Sequence, residues 1–208
     1  MTEITEAVLD ELRGVVLAKL SPKRFRHVAA VEDMVARLCA LYRPGEVMRM
    51  RAAALLHDIT KELSTEEQVL LCHAYGIPVD GGDLLAPKTL HARTAAAQIP
   101  VEYPAFDDPL IVSAVRWHTT GHADMTLTEK LLYLADYIDA SRTFPNCVIL
   151  RRYFWGAGPE SMTDAERAAL LRDTLLLSYD MTIRDLLDEG TPVAVDTVEA
   201  RNELLRER

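Results

Sequence analysis

The chain of 208 residues lacks several features that mark large classes of protein. Its three cysteines, Cys39, Cys72 and Cys147, form no CxxC pair, so we expect free thiols and a reducing cytoplasm. No apolar run approaches the roughly 18 residues of a membrane span, and the acidic start MTEITEAVLDELRG is not typical of a signal peptide. The sequence therefore predicts a cytoplasmic protein with no membrane partner.

Basic residues are also scarce relative to acidic ones, 23 against 32, which gives a formal net charge of −9. Non-specific binding to nucleic acid or to an anionic membrane needs a basic surface, so neither partner is expected. A small anionic substrate is compatible with this charge if a metal and a few local cations neutralise it. The sequence shows no glycine-rich phosphate loop, since DGGD lacks the flanking pattern, and no Ser-His-Asp or Cys-His nucleophile.

Helix signals recur along the chain, whereas alternation of period two and internal repeats are missing. Ser21 predicts the start of one helix, because serine is a preferred N-cap. The pairs Ser64 with Glu67 and Thr126 with Glu129 match the capping box, which predicts two more helix starts.

These signals predict one compact all-α domain. The helical segments are SPKRFRHVAAVEDMVARLCALY, EVMRMRAAALLHDITKEL, a helix around His91, DDPLIVSAVRWH, TLTEKLLYLADYIDASR and a long helix over about 163–190. A loop is expected over 77–88. We therefore predict a single multi-helix domain over 1–208, with its core at about 21–190 and a C-terminal helix over 196–206.

Histidines and aspartates interrupt the apolar faces of these helices. Of six histidines, three (His27, His57 and His118) lie on the inward stripes of separate predicted helices. Asp58 and Asp136 lie in the apolar runs LLHDI and YLADYI, where a buried carboxylate without a partner would be costly. A metal ion is the most economical common explanation, and this ligand set suits iron, manganese or zinc.

Lys61 follows the adjacent pair His57 and Asp58 by four and three residues, on the same face of a continuous helix. Its ammonium group could hold a phosphate near the metal. The alternative is a solvated lysine at the end of a helix, and the spacing does not decide between the two.

The histidine and aspartate pattern, with four longer segments, resembles a known family. The segments are SPKRFRH, ALLHDITKEL, VRWHTTGHADMTLTEKLLYLADYIDASRTFP and DTVEARNELL, which extend from about Ser21 to Leu205. They are similar to the YqeK family of HD-domain symmetrical bis(5'-nucleosyl)-tetraphosphatases. The His-Asp pair alone is a weak signal, and the stretch from Trp117 to Pro145 carries most of the resemblance.

The resemblance implies an HD-domain fold and a metal-dependent hydrolase. Such an enzyme cuts diadenosine tetraphosphate at its centre into two ADP by means of a metal-activated water molecule. By position, His27, His57, Asp58 and Asp136 would hold the metal. Iron is the expected metal, with manganese or another transition metal as the alternative. Association of two chains into a homodimer is a further possibility.

The resemblance also assigns residues to catalysis and to the substrate. Asp58, Lys61, His91 and His118 would be catalytic, and the two histidines would face the phosphates or complete a second metal site. The residues expected to contact the substrate are His27, Lys61, His91, His118, Thr119, Thr120, Gly121 and Arg142.

The sequence departs from the family pattern in three places. His122 stands where arginine is expected after HTTG, Val28 and Ala30 replace a small hydroxyl residue and a glycine, and the segment 147–169 is longer and more aromatic. Three other functions would use the same ligands. They are an HD-fold phosphatase for another nucleotide, an HD-fold di-iron oxygenase, and a helical domain that binds nucleotides or a partner protein without catalysis.

Overall fold

The computed structural model describes residues 3–207, and over this range the chain forms eleven α-helices and no β-strand. The helices are α1 (Glu6–Lys19), α2 (Pro22–Tyr42), α3 (Val47–Leu56), α4 (Thr65–Ala74), α5 (Gly81–Leu85), α6 (Leu90–Glu102), α7 (Pro109–Trp117), α8 (Leu127–Ile138), α9 (Pro145–Gly156), α10 (Asp164–Asp188) and α11 (Val195–Arg206). The all-α prediction is confirmed. Between residues 3 and 207, no helix has both the length and the apolar character to cross a membrane.

The predicted helix starts are confirmed by their hydrogen bonds. The Ser21 hydroxyl accepts from the backbone of α2, and the capping boxes of Ser64 with Glu67 and Thr126 with Glu129 are both complete. Each cap satisfies backbone N–H groups that would otherwise lack a partner in the first turn of a helix. The start of α8 is therefore fixed by local sequence, and with it the register of Asp136.

The helix predicted to continue through Lys61 ends earlier, so that part of the prediction is wrong. Helix α3 ends at Leu56 and is followed by tight turns, in which Lys61 N donates to Asp58 O at 3.0 Å. In the same turns, the Thr60 carbonyl accepts from Leu63 N at 3.1 Å and from Gln68 Nε2 at 2.5 Å, so it makes a turn bond and a tertiary bond.

Two short helices were not expected from the sequence. The predicted loop over 77–88 contains α5, whose start is a capping box between Asp80 and Asp83. Helix α9 fills the segment after Pro145, where proline occupies the first helical turn and its missing N–H costs nothing. The available signals were therefore the capping box of α5 and the proline of α9, which the surrounding glycines and aromatic residues obscured.

The core lies among four helices, because α2 packs along α3 and α8 while α7 packs against the same two helices. Its side chains are mostly aliphatic, and full burial of a leucine contributes about 1.5–3 kcal/mol. Leu9, Leu12 and Val16 of α1 are also buried against this core. The packed region therefore begins earlier in the chain than the expected start near residue 21.

Gly121 occupies a position that no other residue fits. Its φ angle is +64°, and a Cβ atom there would overlap the Tyr179 hydroxyl and lie 2.9 Å from Met125 Sδ. Tyr179 is fully buried and has no room to move away. The glycine of HTTG is therefore required by packing and by backbone conformation.

We predict that Gly121→Ala lowers the free energy of unfolding by at least about 2 kcal/mol, since it adds left-handed strain to overpacking. Urea denaturation measures this change. Gly14→Ala is the matched control, because Gly14 lies within α1 and nothing approaches its Cβ position within 4 Å. It should stabilise the fold by about 0.5–1 kcal/mol. Equal stabilities for the two variants would contradict the packing role of Gly121.

Candidate metal centre

Five elements of the bundle bring histidines and aspartates to one point. The groups are His27 in α2, His57 and Asp58 in the turn after α3, His91 in α6, His118 at the end of α7, and Asp136 in α8. All six were predicted from the sequence as site residues. The structure brings them together in the interior, where five of them are buried.

Three of the histidines have the same local geometry. His57, His91 and His118 each place Nδ1 at 2.6 to 2.7 Å from the carbonyl oxygen three residues earlier in the chain. A carbonyl oxygen only accepts, so Nδ1 carries the proton and donates. Each Nε2 therefore keeps its lone pair and faces the interior of the site, as in histidines that bind metals.

These lone pairs face other lone pairs. The His91 and His118 Nε2 atoms lie 3.0 Å apart, and the Asp58 carboxylate oxygens lie 3.3 Å from His91 Nε2 and 3.5 Å from His57 Nε2. The Thr119 hydroxyl is 3.1 Å from the Nε2 atoms of both His91 and His118 and can donate to only one of them. The arrangement is repulsive unless a cation or additional protons occupy the space between these atoms.

His27 approaches from the opposite side. Its Nε2 atom lies 2.9 Å from Asp136 Oδ1 and 3.7 Å from Asp58 Oδ2, while Nδ1 is 3.3 Å from both Asp139 Oδ2 and Ser141 Oγ. Burial lowers the pKa of His27, but the carboxylates of Asp136 and Asp139 outweigh burial and raise this pKa to about 9. The surroundings of His27 therefore favour a positive charge, either a proton on the imidazole of the metal-free protein or a bound cation in place of that proton.

The two central carboxylates remain ionised. Burial raises the pKa of Asp58, but the imidazoles of His57 and His91 hold it well below its usual range. Burial acts on Asp136 in the same direction, and there Arg142 and His27 hold the pKa well below its usual range. Two negative charges in the interior require compensation by positive charge.

Arginines supply part of that compensation at the edge of the centre. Arg24 Nη1 lies 2.8 Å from Asp58 Oδ2, and Arg142 Nη2 lies 2.5 Å from Asp136 Oδ1. Lys61 Nζ lies 3.2 Å from both ring nitrogens of His91. Burial lowers the pKa of Lys61, and nearby carboxylates, chiefly that of Asp58, oppose this effect. The structure thus places Lys61 at the centre rather than on the solvated surface.

Arg24 and Asp139 were missed in the sequence analysis. Arg24 precedes His27 by three residues, and this spacing on one helix face was the available signal. Asp139 follows Asp136 by three residues but lies just beyond the end of α8, where helical spacing no longer applies. Its carboxylate is fully buried and supports both His27 and Arg142, at 3.3 and 3.4 Å.

A divalent metal ion fits this set of atoms. Ligand atoms of His27, His57 and Asp136 lie within 4.8 Å of one another, and so do those of His57, Asp58 and His118. The Nε2 atoms of His27 and His57 are buried and make no hydrogen bond of good geometry, although His27 Nε2 lies 2.9 Å from Asp136 Oδ1. Buried polar atoms are rarely left without a partner, so these two nitrogens point to a missing ligand. The centre could therefore bind a metal.

Two large cavities adjoin the centre, and a smaller one of about 140 Å³ lies beside His91. The tyrosine cavity, of about 670 Å³, is lined by Lys61, His118, Thr119, Tyr133 and Tyr137, among others. The basic groove, of about 720 Å³, lies beside His27. A third large cavity of about 690 Å³, next to Tyr42 and Arg167, contains none of the histidines. Volume alone therefore does not identify the site, whereas the convergent ligands do.

The residues of the HTTG segment separate in the structure. Thr119 lines the tyrosine cavity. Thr120 is buried and donates its hydroxyl to the Gly121 carbonyl, and neither Thr120 nor Gly121 lines the cavity. His122, the departure from the expected arginine, lies 3.2 Å from Glu129 and packs against Trp117. The substitution at this position therefore lies outside both large cavities that adjoin the centre.

The fold and this centre define an HD-domain hydrolase. The family profile described as "HD domain" matches residues 24–141, which extend from Arg24 to Ser141, so the chain belongs to the HD-domain family. The profile thus covers all six groups of the centre.

Three curated relatives are similar to this chain over most of its length, and all three have the same name. A protein of Staphylococcus aureus named "Bis(5'-nucleosyl)-tetraphosphatase, symmetrical" is 28% identical over 84% of this chain and 88% of its own. Proteins of the same name from Halalkalibacterium halodurans and Bacillus subtilis are 29% and 28% identical, over 91% and 90% of this chain and 92% of each relative. These similarities confirm the family resemblance read from the sequence.

A solved structure agrees with the fold. The crystal structure of a predicted HD superfamily hydrolase involved in NAD metabolism, from Clostridium acetobutylicum, superposes with a TM-score of 0.82 at 30% identity. The similarity covers 96% of this chain and 97% of the other. The arrangement of helices that forms the centre is therefore shared over nearly the whole length of both chains.

We predict that Asp139→Asn weakens binding of a divalent metal by about tenfold or more, because a neutral amide no longer attracts the Nδ1–H group of His27. Titration calorimetry of the metal-free protein with Mn²⁺ measures the affinity. Asp180→Asn is the control, since it removes one negative charge from an ion pair with Arg201 on α10 and α11. Equal affinities for both variants would show that Asp139 does not orient His27.

Proposed function

We propose that this HD-domain hydrolase cleaves dinucleoside tetraphosphates, with diadenosine tetraphosphate as substrate, symmetrically into two ADP. The observation that carries the proposal is the convergence of lone-pair donors from His27, His57, Asp58 and Asp136 at the edge of the tyrosine cavity. The names of the curated relatives support the same substrate class.

The four convergent residues are the proposed ligands of one divalent ion. A bound ion supplies a Lewis acid for a phosphoryl oxygen and lowers the pKa of a coordinated water molecule. Imidazole and carboxylate together suit iron, with manganese as the alternative. The Asp58 carboxylate also places a negative charge between the imidazole cluster and Arg24, because it faces both of them.

His91 and His118 are the proposed contacts of the phosphate chain, together with Thr119. The 3.0 Å approach of the two Nε2 atoms requires either one shared proton or a second metal ion, and either one presents positive charge to the substrate. Lys61 extends that charge, since its ammonium group rests against the ring of His91. Charge on the phosphoryl oxygens is thereby offset in a buried site, where electrostatic interactions are strong.

The tyrosine cavity is the proposed site of one nucleoside. Arg142 lines it beside Asp136, and the rings of Tyr133 and Tyr137 form an apolar wall. Asn146 Nδ2, also in the lining, donates to Asp185 Oδ2 at 2.7 Å. The cavity thus offers cations and aromatic rings together, and these are the kinds of group that bind the phosphates and the base of a nucleotide.

A cytoplasmic location is part of the proposal and is supported by three free cysteines, all of them buried. The nucleotide substrate and the ADP product are the proposed partners. Association of two chains stays a prediction.

Hydrolysis in oxygen-18 water tests the proposed reaction. Diadenosine tetraphosphate is incubated anaerobically with the protein and Fe²⁺, Mn²⁺ or Co²⁺. The products are then separated, and their masses are determined by mass spectrometry. We expect ADP as the only nucleotide product, with the label on the terminal phosphate of one of the two ADP molecules. AMP together with ATP would show asymmetric attack. Metal-dependent oxygen uptake in air, without nucleotide cleavage, would favour an oxygenase.

We predict that Lys61→Ala reduces kcat/KM for diadenosine tetraphosphate by about tenfold to a hundredfold, as expected for loss of a charge-assisted hydrogen bond. Metal content should match that of the unchanged protein, because Lys61 offers no ligand while its carboxylate neighbours keep theirs. Steady-state kinetics and metal analysis of the same preparation provide both values. Unaltered kinetics would remove Lys61 from the proposed phosphate contacts.

A further inference from the structure

The basic groove has an unusual concentration of positive charge for so acidic a chain. Its lining includes Lys23, Arg24 and Arg26 from the first turns of α2, together with Arg142. Glu62 is the one carboxylate among the lining residues. The formal net charge of the chain is −9, so this groove opposes the overall balance.

Two of these four cations, Lys23 and Arg26, have no carboxylate partner among the described residues. Lys23 and Arg26 are exposed, and in the range 3–207 neither forms an ion pair. Arg24 reaches Asp58 through Nη1, but its Nε atom is buried and lacks a hydrogen bond. The Glu62 carboxylate is already engaged by the N–H and hydroxyl of Ser21, at 2.8 and 2.5 Å. The groove therefore presents free cationic groups to a ligand.

The start of α2 adds to this potential. The helix has 21 residues and begins at Pro22, so the positive end of its dipole lies at the groove. Anions bind favourably at such helix ends when side-chain cations are also present.

The groove and the tyrosine cavity meet at the metal centre. Arg142 and Phe144 line both of them, while His27 lines the groove and His118 lines the cavity. A chain of phosphates that crosses the centre would therefore have one end in each. This is the arrangement that a molecule with nucleotides at both ends of a phosphate chain requires.

We infer that the basic groove binds the phosphates of the second nucleotide half, on the side of the metal centre opposite the tyrosine cavity. The inference rests on the proposed function and extends it to a second subsite. Phe144 is the one large apolar side chain in the lining, so the groove selects for phosphate charge rather than for a particular base. Adenosine tetraphosphate, which lacks the second nucleoside but keeps its phosphates, should bind there as well.

The double variant Lys23→Ala/Arg26→Ala tests the groove directly. We expect KM for diadenosine tetraphosphate, and the inhibition constant of adenosine tetraphosphate against it, to rise about five- to thirtyfold, the combined effect of two exposed phosphate contacts. The value of kcat should stay within about twofold, because the lost contacts act on the bound ground state and the transition state alike. The salt dependence of KM should also become weaker, since fewer charges meet the phosphates.

The matched control is Arg43→Ala/Arg152→Ala, which also removes two exposed cations. Arg43 follows the last residue of α2, roughly 30 Å from its first residue, and Arg152 lies on α9; neither lines the groove. Both double variants have the same net charge. A change in KM that is specific to the first pair therefore cannot come from overall charge.

Equilibrium dialysis of the metal-loaded protein with ADP provides a second readout that needs no turnover. The unchanged protein and the control pair should show two ADP sites per chain, and Lys23→Ala/Arg26→Ala should lose the weaker one. The same KM and the same ADP count in both double variants would overturn the groove as a subsite. Failure of the unchanged protein to release ADP from diadenosine tetraphosphate would instead overturn the proposed function, and the ADP count would still test the groove.

Discussion

The structure depends on one electrostatic constraint, the convergence of imidazole lone pairs on two carboxylates, of which Asp58 is buried and Asp136 is partly buried. Three histidines have already donated Nδ1–H to their own backbone, so their Nε2 atoms have only lone pairs to offer the interior. Such an arrangement is stable only around positive charge. The four-helix core holds these groups in place, Arg24 and Arg142 balance the carboxylates at the edge, and a metal ion fits between them.

Charge distribution explains how an acidic protein can accept a polyanion. Net charge describes the average surface and rightly disfavours non-specific binding to nucleic acid. The cations near the centre are instead concentrated where two cavities meet, with Arg142 contacting both. Each cavity presents positive charge beside the centre. The tyrosine cavity adds aromatic rings, whereas the basic groove adds free arginine and lysine, so the two ends of a substrate would be recognised by different chemistry.

Much of the fold could be predicted from the sequence because helix starts are encoded locally. Ser21 and the Thr126 capping box fixed two of the helices that carry the centre, and burial of charged groups in apolar runs identified His57 and Asp58. The early end of α3 could not be predicted, because the apolar spacing continues through His57 while the backbone after Leu56 turns and bonds to Gln68 on the next helix. Asp139 escaped prediction because its contact with His27 joins residues 112 positions apart across a helix end.

The most direct test of the account is anomalous diffraction from crystals of the iron-loaded protein, measured on both sides of the iron absorption edge. The account predicts an anomalous peak within bonding distance of His27 Nε2, His57 Nε2 and the carboxylate oxygens of Asp58 and Asp136. Iron–nitrogen and iron–oxygen distances of about 2.0–2.2 Å, similar to those of other first-row metals in such ligand sets, would identify direct ligation. Catalytically active crystals with no peak between these four residues, or with iron bound only elsewhere, would contradict it.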